Sequence, residues 1–235
     1  MASSGFYVTG TDTGIGKTAV SAALLLALRA HGLRAVGMKP VASGCVDSGG
    51  AGDAPAWRNA DALALLAASD PRPAYADLNP YALPLPLAPE LAARDAGVEV
   101  ALPPLLAAHA RLRAAADQVV VEGVGGWAAP LSATLTQADL VRALDVPVLL
   151  VVGLRLGCLN HAILSARAIA GDGCRLAGWI GNAVDPDMER RDDQRAMLQA
   201  RLGAPCLGWI PHLPGADPEV VSRYLGVASW PASRP

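Results

Sequence analysis

The chain has 235 residues, 52% hydrophobic and 17% charged, and its 19 basic and 21 acidic side chains leave a net charge of −2. Together with a mean hydropathy of +0.32, this composition indicates a folded chain and excludes extensive disorder. The near-neutral charge without a Lys/Arg block gives no electrostatic basis for binding nucleic acid or a membrane surface. We expect a single domain over residues 1–235, with a short flexible tail over residues 228–235.

The longest charge-free apolar runs, residues 19–28 and 146–154, are shorter than the ~20 residues of a membrane-spanning helix. The first residues carry no basic targeting segment, so the sequence predicts a cytoplasmic protein. The four cysteines form no C-x-x-C motif and the four histidines show no metal-ligand spacing. We therefore expect reduced, mostly buried thiols.

Short apolar runs alternate with longer helical patterns along the chain, which is typical of βα units in a parallel sheet. Strands are predicted at residues 6–9, 35–38, 118–121, 147–152, 176–180 and 206–210. Helices are predicted at residues 17–30, 60–68, 103–115, 135–144, 160–170 and 188–201. Residues 43–58 and 70–89 are rich in glycine or proline and are predicted to be loops. The fold class is α/β, a mostly parallel sheet with helices on both faces.

The first predicted strand leads into GTDTGIGKT (10–18), a glycine-bearing loop that opens an apolar helix. This is the arrangement of a phosphate-binding loop, in which the N–H groups of Gly14, Ile15 and Gly16 surround an anion at a helix N-terminus. Lys17 would reach the β- and γ-phosphates and Thr18 would ligate Mg²⁺. The strict motif has glycine where this chain has Thr11. The flanking strand and helix nevertheless favour a P-loop NTPase-like fold over an incidental turn.

A phosphate-bound Mg²⁺ needs a second protein anchor, usually a carboxylate just after a buried strand. Glu122 ends the strand that begins at residue 118, so it would emerge beside the phosphate loop. The alternative is a solvated acid at a strand end. The role of Asp61 is ambiguous, because either Asn59 or Asp61 could simply cap the following helix.

Six short segments in the same order resemble dethiobiotin synthetase. They are GTDTGIGKT (10–18), KPVASG (39–44), NADAL (59–63), NPY (79–81), EGVGGW (122–127) with PLS (130–132), and LGCLNH (156–161). The resemblance extends from about residue 6 to about residue 219. It implies an ATP- and Mg²⁺-dependent ligase of biotin synthesis that closes 7,8-diaminononanoate and CO2 into dethiobiotin, with release of ADP and phosphate.

By the same resemblance, Lys17 and Lys39 would both face the transferring phosphoryl group and the carbamate as catalytic residues. Without the resemblance, Lys39 could equally be a surface lysine at a strand end. Thr18, Asp61 and Glu122 would hold Mg²⁺, and Thr13 and Ser43 would bind substrate or phosphate oxygens. Asp12 could meet a cationic amine or merely form a turn.

The resemblance also implies sites for the two ends of the ligands. The substrate carboxylate would bind the start of a helix contributed by the partner subunit of a homodimer, at Gly157, Cys158, Leu159 and Asn160. Without the resemblance, these residues would only begin the helix. The nucleotide base would contact Asn182, Pro211, His212, Leu213 and Glu219, although an asparagine that closes a strand is more often a turn residue.

Two other functions compete. An amide-forming P-loop ligase such as a cobyrinic acid diamide synthase would need a further amidotransferase domain, for which 235 residues leave no room. A partitioning switch ATPase of the ParA/MinD type carries a signature lysine early in its phosphate loop, where this chain has Thr11 and Asp12.

Overall fold

The computed structural model describes residues 5–49, 57–213, 215 and 217–226. The predicted tail at residues 228–235 lies outside them. The described strands are β1 (Gly5–Gly10), β2 (Ala35–Met38), β3 (Val41–Ser43), β4 (Val46–Asp47), β5 (Trp57–Arg58), β6 (Tyr81–Leu83), β7 (Gln118–Glu122), β8 (Val148–Leu154), β9 (Leu176–Ala183) and β10 (Cys206–Ile210). The described helices are α1 (Lys17–Ala30), α2 (Ala60–Ala68), α3 (Tyr75–Leu78), α4 (Pro89–Asp95), α5 (Leu102–Ala115), α6 (Gln137–Leu144), α7 (Cys158–Gly171), α8 (Arg191–Arg201) and α9 (Pro218–Ser222).

The main sheet has six parallel strands in the order β10-β9-β8-β1-β7-β2. Strand β1 lies near its middle, with Val8 opposite Glu122 of β7 and Gly10 opposite Val151 of β8. Because parallel strands end at the same edge, the loops after β1, β2 and β7 open side by side. The predicted α/β fold and all six predicted main-sheet strands are confirmed.

Helices cover both faces of this sheet. Alternate side chains of β1 point to opposite sides, so Phe6 and Val8 pack with α1, α2 and α9, whereas Tyr7 packs with α5 and α6. Helices α7 and α8 bury a third cluster against β8 and β9 on the α5–α6 side. This double cover explains why β7 and β8 are buried along their whole length and read as apolar runs.

The prediction that residues 43–58 and 70–89 are only loops is wrong for the described residues. Strand β6 lies in the second segment and pairs in parallel with β3, and α3 precedes it. Strands β4 and β5 form a short antiparallel pair at the two ends of the first segment, of which residues 50–56 lie outside the described part. These elements have two to four residues and their order comes from tertiary contacts rather than from any local pattern.

Strand β9 is longer than predicted, so Asn182 lies inside the strand and is not a turn residue that closes it. Of the four cysteines, Cys45 and Cys158 are buried and Cys174 and Cys206 are half-buried. None of the four forms a disulfide. Among the described residues, no helix has both the length and the apolar character needed to cross a membrane.

Candidate active site

A cavity of about 990 Å³ opens at the edge where β1, β2 and β7 end. The phosphate loop forms one wall, and residues 86–89 with the loop after β7 form the others. Nine of the residues predicted from the sequence line this cavity: Thr13, Gly14, Gly16, Lys17, Thr18, Lys39, Ser43, Asp61 and Glu122. The sheet therefore brings together side chains that are far apart in the sequence.

The phosphate loop is shaped by its glycines and its own contacts. Gly16 has a φ of 87°, a left-handed conformation that glycine adopts without strain, and α1 begins at the next residue. The Nζ atom of Lys17 donates to the carbonyl oxygen of Asp12 at 2.7 Å, so the side chain folds back over the loop. Ile15 is buried, and its contribution to the site is backbone. The loop thus presents N–H groups and one ammonium to the cavity.

Lys39 is the centre of a charged cluster. Its Nζ atom lies 2.6 Å from Oε1 of Glu122 and 3.0 Å from Oδ2 of Asp61. The hydroxyl of Thr18 donates to the same Oε1 of Glu122 at 2.9 Å. Lys39 is 4% exposed and Glu122 is fully buried. Neither is therefore the solvated strand-end residue that the sequence left as an alternative.

The electrostatics of the two lysines differ. Burial lowers the pKa of Lys17 to about 8, and the nearby Lys39 ammonium acts in the same direction. Burial also acts to lower the pKa of Lys39, but the carboxylates of Glu122 and Asp61 outweigh it and raise that pKa. For Asp61, burial acts to raise the pKa, but the Lys39 ammonium outweighs it and the pKa is lowered. Lys39 therefore remains an ammonium and Asp61 a carboxylate at neutral pH.

The donor set fits a divalent cation that arrives with a phosphate ligand. The Oε2 atom of Glu122 is buried and accepts no hydrogen bond from any described residue. A buried carboxylate oxygen left in this way is ready to bind a cation. The described residues contain no group of three or more His, Cys, Asp or Glu side chains that could hold a metal alone. Phosphate oxygens and water would therefore complete the shell around Thr18, Asp61 and Glu122, as Mg²⁺ prefers.

Asn59 resolves the ambiguity of Asp61. Its side-chain oxygen accepts from the N–H groups of Asp61 and Ala62 at 2.9 and 3.3 Å and so caps α2. The carboxylate of Asp61 is not used for the cap and reaches Lys39 instead. Asn59 also donates to the carbonyl oxygen of Ser43 at 3.2 Å, which links α2 to the strand beside the cavity.

The backbone of Lys39 is fixed by α3 and the residue after it. The N–H of Lys39 donates to Leu78 O, and Nδ2 of Asn79 donates to Lys39 O, both at 2.7 Å. The hydroxyl of Tyr75 donates to Asn79 and accepts from the N–H of Asn59. The segment that the sequence predicted to be a loop therefore holds the candidate catalytic lysine in place.

A second cavity of about 330 Å³ lies on the far side of the phosphate loop. Asn182, His212 and Leu213 line it, as expected for a base pocket, whereas Pro211 and Glu219 are not among its lining residues. The Nδ2 atom of Asn182 donates to Ile15 O at 2.8 Å, so Asn182 also braces the phosphate loop. Nδ1 of His212 lies 3.0 Å from the carbonyl oxygen of Ala183.

Residues Gly157, Cys158, Leu159 and Asn160 do not line the main cavity of their own chain. They form the start of α7, where Cys158 is buried and Asn160 is exposed. The preceding Arg155 pairs with Asp12 at 2.5 Å, and Asp12 also accepts from the N–H of Thr13. Asp12 thus accepts a hydrogen bond from its own loop and forms an ion pair between the two loops.

The comparisons with known proteins agree on one family. A family model described as an AAA domain matches residues 4–220. The ATP-dependent dethiobiotin synthetase BioD of Xanthomonas euvesicatoria is 67% identical over 212 residues, which cover 90% of this chain and 92% of that protein. The BioD protein of Xylella fastidiosa is 62% identical, and the match covers 96% and 98% of the two chains. The chain belongs to the dethiobiotin synthetase family.

Solved structures with the same fold include proteins of other families. A ParA family ATPase from Chlorobium tepidum superposes with a TM-score of 0.56 at 14% identity, covering 95% of this chain and 91% of that one. The cell division protein MinD of Aquifex aeolicus gives a TM-score of 0.52, also at 14% identity, and covers 89% and 82%. At that identity the likeness shows the fold alone. The family membership therefore favours dethiobiotin synthetase over the switch ATPase alternative.

Sequence reasoning missed some polar residues behind the site. Gln137 and Tyr7 are buried beneath the loop after β7, and Arg155 joins the α7 start to the phosphate loop. A capping box that begins at Thr136 was a readable signal for the start of α6, and it places Gln137 as the first helical residue. No local pattern indicates which loop the Gln137 side chain contacts.

Proposed function

We propose that this member of the dethiobiotin synthetase family is an ATP- and Mg²⁺-dependent cyclo-ligase that converts 7,8-diaminononanoate and CO2 into dethiobiotin, ADP and phosphate. The observation that carries the proposal is one cavity in which Lys17, Lys39 and the carboxylates of Asp61 and Glu122 surround the edge of the phosphate loop. Two cations and two hard oxygen donors suit a triphosphate and a metal.

The chemistry requires activation of a carbamate. One amine of the substrate adds to CO2 and loses a proton, which gives a carbamate with no good leaving group. An oxygen of the carbamate attacks the γ-phosphorus and ADP leaves, so that the carbonyl carbon carries a phosphate. The second amine then attacks this carbon, phosphate leaves with the C–O bond electrons, and the cyclic urea forms after loss of a proton.

In this reaction the residues act by charge and position. Lys17 lies over the phosphate loop and would contact the β- and γ-phosphates, and Lys39 would stabilise the negative charge on the carbamate and the transferring group. Thr13 and Ser43, which line the same cavity, would hold substrate oxygens. Thr18, Asp61 and Glu122 would hold Mg²⁺, which would supply charge neutralisation between the phosphates.

The carboxylate end of the substrate would bind the start of α7 from a second copy of the chain. Two features support this part of the proposal. Gly157 to Asn160 lie away from the cavity of their own chain, and two leucines of this region are exposed, Leu156 at 91% and Leu164 at 54%. A partner that covered this region would remove the two leucine side chains from water. The base pocket would be the second cavity, at Asn182, His212 and Leu213.

ADP release by the purified protein tests the function. We expect turnover only when both the diamine and bicarbonate are added with Mg²⁺·ATP. Lys39→Ala should lower kcat strongly while the affinity for nucleotide changes little, because Lys39 would act on the transferring group rather than on ground-state binding. ATP turnover that does not depend on the diamine would contradict the proposal.

A further inference from the structure

The loop after β7, residues 123–129, carries part of the active site and belongs to no helix or strand. Val124, Gly125 and Ala129 line the main cavity. The carbonyl oxygen of Gly123 accepts from Nζ of Lys39 at 3.3 Å, and its N–H donates to Val8 O at 2.9 Å. We call residues 123–129 the glycine loop. It contacts the Lys39 ammonium directly and follows Glu122 in the chain.

One side chain, that of Gln137, forms hydrogen bonds with four backbone groups of this loop. Gln137 is 0% exposed, and its Nε2 atom donates to the carbonyl oxygens of Gly126 at 2.7 Å and Trp127 at 3.1 Å. Its Oε1 atom accepts from the N–H of Val124 at 3.1 Å. Gln137 is also the first residue of α6, whose start is fixed by the capping box between Thr136 and Asp139. The amide therefore connects a rigid helix end to the loop.

Tyr7 completes the network from below the sheet edge. Its hydroxyl donates to Oε1 of Gln137 at 2.7 Å, and its ring is 1% exposed. A Cβ atom at Gly123 would lie 2.3 Å from Oε1 of Gln137 and 2.7 Å from the Tyr7 hydroxyl. The chain thus approaches the two side chains so closely that only glycine fits.

The free-energy cost of burying the Gln137 amide indicates that its hydrogen-bond network has a functional role. A buried amide is unfavourable unless each polar atom has a partner, and an apolar side chain of similar size would fill the same space without that demand. Every backbone partner of the Gln137 side chain belongs to the glycine loop. The network therefore acts on the loop that borders the charged cluster.

We propose that Gln137, held by the Tyr7 hydroxyl, is a positioning residue that fixes the glycine loop and so aligns Gly123 O and Glu122 with the Lys39 ammonium for phosphoryl transfer. This inference rests on the proposed function, because it assigns Gln137 a part in the step that Lys39 serves. Gln137 touches neither the nucleotide nor the diamine in this proposal.

The test compares steady-state kinetics of Gln137→Met, Tyr7→Phe and the double variant with wild type, using ADP release with saturating diamine and bicarbonate. We expect Gln137→Met to lower kcat by about tenfold or more while KM for ATP stays within about twofold. Tyr7→Phe should give a smaller drop, about threefold, and the double variant should be no slower than Gln137→Met, because both act through one loop.

Leu198→Ala is the matched control. Leu198 is fully buried in the α7–α8 cluster, away from the site, so its truncation lowers stability without touching the glycine loop. Measured well below its unfolding temperature, this variant should keep the wild-type kcat. A folded Gln137→Met protein with kcat within about twofold of wild type would overturn the inference.

The outcomes distinguish a failure of the proposed function from a failure of the role proposed for Gln137. If wild type lacks diamine-dependent ADP release, the proposed function fails. If wild type is active and Lys39→Ala is impaired but Gln137→Met is not, only the positioning role fails. Should Gln137→Met not fold, Tyr7→Phe decides alone, and an unchanged kcat in that variant would contradict the role of the network.

Discussion

The ammonium of Lys39 lies between Glu122 and Asp61, the same two carboxylates that would hold the metal. In the absence of nucleotide, its single positive charge offsets part of their negative charge, and it therefore competes with any cation for them. The fully buried carboxylate of Glu122 is unfavourable without a neighbouring cation, which makes the site ready to exchange one positive charge for another.

Lys39→Met should therefore create a site for a divalent cation in the nucleotide-free protein. We expect the variant to bind Mn²⁺ at least about tenfold more tightly than wild type, a change of ~1.4 kcal/mol. Electron paramagnetic resonance of free Mn²⁺ measures this directly. As a control, adding Glu122→Gln to the variant should abolish the gain. Equal affinity of wild type and Lys39→Met for Mn²⁺ would show that the Lys39 ammonium does not compete with the cation.

Protonation of Lys17 should make the affinity for ATP depend on pH. Its pKa is lowered to about 8 by burial, and the negative charge of a bound triphosphate would raise it again. Below pH 8 the ammonium is already present, whereas above pH 8 binding must take up a proton, so affinity for ATP falls as pH rises. At pH 9 most binding events should therefore take up a proton if the bound lysine is fully charged.

Calorimetry in two buffers of different ionisation enthalpy measures that uptake. In Lys17→Arg the guanidinium stays protonated through this range, so the variant should show no uptake at this position. The difference between the two proteins then reports Lys17 alone. Uptake near zero at pH 9 in wild type would show that this lysine is charged before nucleotide arrives.

At the scale of elements, the start of α2 sets where Asp61 points. Because Asn59 accepts from two N–H groups of the first turn, Asn59→Ala should reduce the free energy of unfolding by about 1 kcal/mol. It should also raise the Mg²⁺ concentration needed for half-maximal activity, since the first turn carries Asp61. Denaturant titration and a Mg²⁺ titration of ADP release measure the two effects.

Asn59→Ser is the matched control for that prediction. Serine also caps helices, so this variant should recover most of the stability. If Asn59→Ala had the stability and Mg²⁺ requirement of wild type, the cap would have no role in placing the carboxylate.

The main strands were predictable because helices cover both faces of the sheet, so β7 and β8 appear as uninterrupted apolar runs. The phosphate loop was predictable because its residues are contiguous. In contrast, α3 and the β3–β6 pair depend on partners distant in sequence, such as Leu78 O for the N–H of Lys39. The role of Gln137 was hidden for the same reason, since its partners are backbone atoms of another segment.

At the scale of the whole molecule, His109 makes stability sensitive to acid. Burial lowers its pKa to about 4, and Arg113 acts in the same direction. Between pH 6.5 and about 4 the unfolded chain binds more protons than the folded one, so the free energy of unfolding falls as pH falls. The loss from this group is at most about 1.4 kcal/mol per pH unit.

His109→Leu should remove this part of the pH dependence while the protein stays folded at neutral pH. Urea unfolding at pH 7, 6 and 5 measures it, and His31→Gln, a change at an exposed histidine, serves as the control. Parallel losses in wild type and His109→Leu over this range would exclude His109 as the cause.

The central position of β1 has a consequence for synthesis of the protein. Its two neighbours in the sheet, β7 and β8, both come from much later in the chain. At a translation rate of 5–20 residues per second, roughly 10 s pass between the synthesis of β1 and that of β7, the first of its two neighbours to be made. During that interval an apolar strand has both edges open, and the nucleotide-binding loop attached to it has no support. We expect nascent chains arrested before β8 to need a chaperone and to be unable to retain ATP.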